Sequence, residues 1–448
     1  MVYRDIIKEL QRWSEKDNRK PLIIRGARQV GKTTVVNIFA EQFDQYIYLN
    51  LEEAADRSLF EKNTRIDDLV KAVFFEKKKI RHVSKTLLFI DEIQIFPPAL
   101  AMLRYFFEKH PDIYVIAAGS LLESLFDKEI SYPVGRVEYR VIRPFSFSEF
   151  LLAMGEHQAL DELNNIPLNG YAHAKLLKLF HEYVLIGGMP EVVVDYAARK
   201  DLTLLSDIYE SLIVSYLDDV EKYARNNAMV PVIRHAITSM FAEAGKRISF
   251  HGFGRSNYGS KEMGEALRTI EKAMLVHLIY PATDTKLPVR PDKKRSPRLQ
   301  LLDTGLVNYF AGIQSEILGA TNLNVIYKGM VAEHIVGQEL LSVKSNVLAQ
   351  LAFWVREKVQ SYAEVDYIYP HHGKVIPIEV KSGATGRLRS LHAFMDRSDQ
   401  DIAIRYYAGE YKMETIKTLN NKSYRLLNLP YFLASQTENY LDWAKTEG

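Results

Sequence analysis

The 448 residues suffice for about three domains at roughly 150 each, and 58 Lys+Arg against 56 Asp+Glu leave a formal net charge of +2, too small for a strong overall pull toward nucleic acid or membrane. The absence of cysteine excludes disulfides, thiol nucleophiles and thiolate metal sites. The opening Met1-Val2-Tyr3-Arg4-Asp5 is charged, no apolar leader core follows it, and no run of about 18 uncharged apolar residues occurs, so the expectation is a cytoplasmic, multidomain protein with no membrane partner.

Residues 1–160 alternate short apolar runs (Leu22–Arg25, Tyr46–Leu51, Thr86–Ile90, Ile113–Ala118, Val137–Ile142) with helical patterns, the rhythm of a parallel α/β sheet. Within them, Gly26-Ala27-Arg28-Gln29-Val30-Gly31-Lys32-Thr33 matches GxxxxGK[ST] without deviation. The strand Pro21–Ile24 runs into it and the helical stretch Thr34–Gln42 follows, the context that gives the motif its meaning. Glycines let the backbone approach a triphosphate, and amides from Gly26 to Thr34 point inward. The helix N-terminus adds about half a positive charge. Lys32 supplies a cation for the β/γ phosphates, and the Thr33 hydroxyl is a Mg²⁺ ligand.

Downstream, Leu87–Ile90 is apolar enough for a strand buried on both faces. Asp91 and Glu92 stand at its C-terminal end, where open α/β sheets bind ligands. Asp91 is the expected second Mg²⁺ holder, and Glu92 the group that polarises attacking water. The strand Ile113–Ala118 ends in Gly119-Ser120, and Ser120 is either a γ-phosphate contact or a helix N-cap.

These residues resemble the AAA-like branch of P-loop ATPases with Glu directly after the magnesium Asp. That resemblance implies a strand order in which the Ser120 strand lies between the phosphate-loop strand and the Asp91 strand. Asp91-Glu92-Ile93-Gln94, Ala118-Gly119-Ser120, Gly135-Arg136, Pro144-Phe145-Ser146-Phe147-Ser148-Glu149-Phe150 and Gly187-Gly188-Met189-Pro190 are similar to a bacterial and archaeal ATPase family. Its members join this domain to a C-terminal domain of unknown function. Arg136 then corresponds to an arginine finger, in its own subunit or a neighbour's, or to an ion-paired strand end. Gly187–Pro190 is a hinge or a helix terminator. AAA-like relatives often form rings, which makes a homo-oligomer one expectation and a monomer the other.

Residues 161–298 are mostly helical. Pro231–Gly245 carries an apolar face, Ser260 caps a second amphipathic helix, and the strand Val276–Tyr280 follows, an order that resembles a winged helix. Lys261, Arg268 and Lys272 project together opposite the apolar stripe. That is where a recognition helix presents phosphate-binding cations, with Glu265 on the same face; a solvated helix face has the same pattern. Thr283–Arg298, with three prolines and six basic residues, is expected to be a loop.

In residues 299–448, strands return at Leu299–Leu302, Ala352–Val355, Ala363–Tyr369 and Val375–Val380, a second α/β unit. With His372-Gly373 at the hairpin tip, Asp366 stands across from Glu379. Two carboxylates at about 5 Å repel, and a divalent cation between them reverses the sign. Lys381 shares the Glu379 face, and Glu333 sits on an apolar helix. His371 and His372 are turn residues rather than ligands in this reading. Glu333, Asp366 and Glu379-x-Lys381 resemble the restriction-endonuclease-like metal site of helix Glu, strand Asp and (D/E)xK. Val365 stands where such motifs often carry Pro. The resemblance implies a nuclease-like domain that binds or cleaves nucleic acid through Mg²⁺-activated water. The alternative is a nucleotide-gated switch or protein-interaction module with an inactive nuclease-like unit.

Overall fold

In the computed structural model the described residues are 3–82, 85–119, 135–312, 330–358, 361–381 and 388–446. Five strands, β1 (Leu22–Arg25), β2 (Gln45–Asn50), β3 (Thr86–Asp91), β4 (Ile113–Gly119) and β5 (Glu138–Val141), form a parallel sheet of order β2-β3-β4-β1-β5. The strand that ends at Gly119 does lie between the phosphate-loop strand and the Asp91 strand. Alternate residues of these strands face opposite layers, as the pleat requires. Leu22, Ile24, Leu87 and Phe89 pack with Leu10, Trp13 and Phe39 on one side. Ile23, Leu88, Ile90 and Val115 meet Leu69, Leu100 and Leu103 on the other. Both faces of the inner strands are covered, so β1, β3 and β4 are mostly apolar, whereas β2 and β5 at the edges carry polar residues.

Helices from Phe147 to Lys272 follow, and then a second, mixed sheet of eight strands. Its members are β6 (Val276–Ala282), β7 (Arg298–Leu301), β8 (Ala352–Lys358), β9 (Ser361–His371), β10 (Lys374–Val380), β11 (Ile402–Tyr407), β12 (Lys412–Lys417) and β13 (Ser423–Pro430), in the order β12-β13-β11-β10-β9-β8-β6-β7. β8, β9 and β10 are an antiparallel meander. The helix Arg389–Met395 then crosses to β11, which runs parallel to β10. The β6–β7 hairpin after the two helices Met229–Met240 and Ser260–Lys272 is antiparallel, and β6 also joins β8. The sheet therefore runs through residue 298, where the sequence suggested a domain boundary.

One apolar cluster is continuous from Trp13 through Tyr183 and Phe147 to Tyr367, Leu427 and Phe432. Between these layers lies Glu339, fully buried, which accepts from Tyr183 Oη (2.7 Å) and from the Phe147 amide (3.2 Å). Among the described residues, no helix is long and apolar enough to cross a membrane.

Candidate functional site: a phosphate loop and a second acid cluster

The loop from Gly26 to Gly31 leaves β1 and enters the helix Lys32–Ala40. Two glycines are dictated by geometry. Gly31 has φ +88°, a left-handed conformation that turns the amides inward. A Cβ on Gly26 would stand 2.5 Å from the Ile142 carbonyl oxygen, so the loop closes onto the strand end of β5 only without a side chain there. Thr34 lies within the first turn of the helix.

Lys32 is buried, and its Nζ donates to the carbonyls of Gly26 (3.1 Å) and Ala27 (2.9 Å). Burial pushes its ammonium below the ordinary lysine range, while Glu92 and Asp91 nearby hold the charge. Thr33 Oγ1 donates to Asp91 Oδ2 at 2.7 Å. Tyr48 Oη lies 3.4 Å from the same oxygen, and the Glu92 amide donates to Asp91 Oδ1 at 3.0 Å. Burial raises the Asp91 carboxyl, against these hydrogen bonds. Glu92 has φ +50°, a conformation uncommon outside glycine that recurs at functional sites, and its carboxylate accepts from Gln94 Nε2. A hydroxyl and a carboxylate at hydrogen-bond distance, beside a buried ammonium, are the donor set that fits Mg²⁺ and a triphosphate.

Contacts distant in sequence brace this loop. Arg4 donates to the Val30 carbonyl (3.1 Å), to the Arg143 carbonyl (2.7 Å) and to Glu149 Oε1 (2.9 Å). Glu149 is the acid of a capping box with Ser146, so the Phe145-Ser146-Phe147-Ser148-Glu149 motif both starts a helix and anchors the arginine that holds the loop. From the helical region Asp219 pairs with Arg28, and Ser215 Oγ donates to Gln29 Oε1 at 3.1 Å. None of Arg4, Ser215 and Asp219 carries a local signal; their partners lie far along the chain.

Arg136 takes the second of its two expected places, an ion-paired strand end. It precedes β5, whose first residue Glu138 pairs with Leu22 at the start of β1. The loop is at the other end of that four-residue strand, at least roughly 13 Å away at ~3.3 Å per residue. Arg136 pairs instead with Glu108 at 3.0 Å and is no finger for the nucleotide site of its own chain. Ser120 lies outside the described residues. Gly187 ends the helix His173–Ile186 at φ +75°, and Pro190 opens the next. The Gly188 amide donates to buried Asp303 at 2.6 Å. This stretch terminates one helix and starts another.

The second cluster is on β9 and β10. The register Ile378↔Tyr367 continues to set Glu379 against Asp366. The Val380 amide donates to Asp366 Oδ2 at 2.7 Å, and Lys381 Nζ donates to Glu379 Oε1. The other oxygen, Glu379 Oε2, is buried with no partner. Burial, aided by the Asp366 charge, pushes both Glu333 and Glu379 up to about 8, and burial raises Asp366. All four residues expected from sequence are therefore brought together. Sequence reasoning missed Arg298 on β7, whose guanidinium is 3.3 Å from Glu333 and 3.8 Å from Asp366 and also pairs with Glu364. Burial opposes its charge, but Glu333 and Asp366 outweigh that and hold the guanidinium above its usual range. His371 and His372 both place Nε2 on Asp442 Oδ1, at 2.9 and 3.1 Å.

Residues 18–151 match the family described as AAA domain. The N-terminal part is an AAA-like P-loop ATPase domain. Residues 177–317 and 328–431 match two further families, each described as a domain of unknown function. Over 226 residues the chain is 27% identical to the uncharacterized protein MJ1544 of Methanocaldococcus jannaschii, covering 49% of this chain and 46% of that protein. The chain thus matches about half the length of that curated relative. Among solved structures it is similar to the Walker-type ATPase of Pyrococcus abyssi (TM-score 0.43, 15% identity, 69% of this chain and 96% of that one). It is also similar to the Aeropyrum pernix ORC1 protein in complex with DNA (TM-score 0.30, 12% identity, 70% and 93%).

Proposed function

We propose that this chain is a Mg²⁺-dependent ATP hydrolase whose nucleotide state is coupled to a nuclease-like C-terminal unit that binds or cleaves nucleic acid. The observation that carries the reading is the Thr33–Asp91 hydrogen bond at 2.7 Å beside Lys32, a buried ammonium whose hydrogen bonds, among the described residues, go to two backbone carbonyls. Carbonyl partners are exchangeable for phosphate oxygens, and the loop amides with the helix N-terminus complete an anion site. Thr33 and Asp91 would hold Mg²⁺, which neutralises charge on the β/γ phosphates when bound. Glu92 orients the attacking water and takes its proton. The Arg28–Asp219 pair ties the loop to the helical region, so a change at the phosphates is felt there.

For the C-terminal unit, support comes from the helix Met330–Ser342, the meander β8-β9-β10, the helix Arg389–Met395 and parallel β11. That succession is the one expected of a restriction-endonuclease-like core. The partnerless oxygen of Glu379, opposite Asp366, fits a divalent cation. A second reading, an inactive nuclease-like unit in a nucleotide-gated switch, is favoured by Arg298, which already gives Glu333, Glu364 and Asp366 a cation.

Phosphate release from ATP is the first test: turnover is expected in the native chain and none in Lys32→Ala, and unchanged hydrolysis in that variant removes the ATPase reading. Plasmid, single-stranded DNA and RNA offered with Mg²⁺ or Mn²⁺ separate the other two. Cleavage lost in Glu379→Ala supports the nuclease, and no cutting supports the switch.

A further inference from the structure

A cleft of about 280 Å³ opens between the β1–β5 edge of the ATPase sheet, the helix Ser260–Lys272 and β6. Arg143, Arg268 and Lys293 line it, together with Arg25 and Lys272, which each have a partner of their own. One acid, Glu271, is also among its walls and accepts from the Leu278 amide at 2.8 Å. Arg143 is the decisive member. It is only 7% exposed, and among the described residues no carboxylate pairs with it. Its Nη1 donates to Nε2 of His277 at 2.9 Å, and its Nε reaches the Lys344 carbonyl at 3.5 Å. His277 is no counter-charge: burial and the adjacent guanidinium hold it neutral, down to about 3. Burial lowers Arg143 itself to about 10, with no acid to oppose the effect.

A buried guanidinium without an anion costs several kcal/mol unless something supplies the missing charge. The other cations are arranged around the same opening, and Arg268 and Lys293 at its rim are exposed and form no ion pair with a described residue. We propose that this cleft is a second phosphate site, distinct from the phosphate loop, in which Arg143 and Arg268 grip a phosphate oxyanion of a single-stranded nucleic acid or of a free phosphorylated ligand. Guanidinium favours phosphate through its planar, bidentate donors. Arg25 directly precedes Gly26, so the two sites adjoin while using separate side chains. Arg268 and Lys272 of the winged-helix-like segment turn toward this cleft, whose size suits a single phosphate group or a strand rather than a duplex groove. The inference does not rest on the nuclease-like reading.

The test uses the full chain carrying Lys32→Ala, so that the phosphate loop does not respond. Titration with inorganic phosphate and with tripolyphosphate is expected to raise its melting temperature by several degrees. Adding Arg268→Glu and Lys293→Glu, both exposed positions, is expected to weaken the apparent affinity at least tenfold. A response unchanged by those two substitutions overturns the proposal, as does no response at all to phosphate, tripolyphosphate or oligonucleotide. Anisotropy of a labelled single-stranded oligonucleotide separates the sources: binding lost with the two substitutions assigns the site to a strand, and a phosphate response without strand binding assigns it to a free ligand. Arg143→Met, in phosphate-free buffer, is expected to melt no lower than its parent and to ignore phosphate. Full phosphate sensitivity in that variant overturns Arg143's part.

Discussion

The phosphate loop and the β9–β10 acid cluster each combine carboxylates with a buried cation, and they dispose those charges in opposite ways. Lys32 is satisfied by two carbonyl oxygens, while the acids nearest it, Asp91 and Glu92, are occupied by Thr33 and Gln94. The Lys32 hydrogen bonds go to uncharged oxygens. Around Asp366 the cation is already spent on Glu333 and Glu364 as well, and what is left over is a carboxylate oxygen, Glu379 Oε2. One site therefore leaves an ammonium with no direct ion pair among the described residues and the other a carboxylate oxygen with no partner, although a residue count makes them look alike.

Breaking the first site should have the largest effect. Glu92→Gln is expected to lower ATP turnover by about 10²- to 10³-fold with nucleotide affinity within about threefold; single-turnover phosphate release and equilibrium nucleotide titration measure the two. An equal loss in both would place Glu92 in binding instead. At the second site, Arg298→Met removes the paired cation of Glu333 and Asp366, while Glu364 keeps Arg247. The expected loss is about 3–5 kcal/mol in urea unfolding, part of it regained in millimolar Mn²⁺, because a divalent ion then takes the vacated role. No regain would argue that the acids are held for the arginine alone.

A smaller effect sharpens the contrast between acids that serve a ligand and an acid that joins layers. Glu339 is pushed up to about 7 by burial, from an ordinary value of 4.5. The folded chain then keeps a proton that the unfolded chain has released, so stability falls as pH rises from about 4.5 through 7. Glu339→Gln should be free of that slope and, by pH 8, more stable than the native chain by on the order of 2 kcal/mol. Melting curves of the two proteins from pH 5 to 8 should diverge with rising pH, and parallel curves would refute this. The smallest effect is expected for Arg136→Ala: turnover within twofold, and stability within about 0.5 kcal/mol, since its partner is an exposed acid.

Much of the nucleotide site was legible because its parts are local or adjoin strand ends. A glycine-spaced loop and an Asp-Glu pair each have a signature within a few residues, and parallel strands buried on both faces show as apolar runs. The β9–β10 hairpin was legible for a similar reason: His372-Gly373 sets the turn, and the turn sets Asp366 against Glu379. Strands β11 to β13 were missed. β12 is an edge strand with a mostly half-exposed, charged pattern, and nothing in it announces pairing. Arg136 stayed open between two roles because a glycine–arginine pair says nothing about which end of a strand it occupies.

The chain's own order thus determined the groups of its two centres: a glycine-spaced loop with Lys32 and Thr33 followed by the Asp91-Glu92 pair, and a pair of acids set across a hairpin. Tertiary structure decided what surrounds them. Arg4, Asp219 and Arg298 reach their partners across 26 to 191 positions, and Arg143 is left without a described carboxylate only because helices, sheet and loop converge on it. Local spacing specifies which groups are neighbours along a backbone; desolvation and charge balance depend on everything else that packs there, and these are settled only when the layers close.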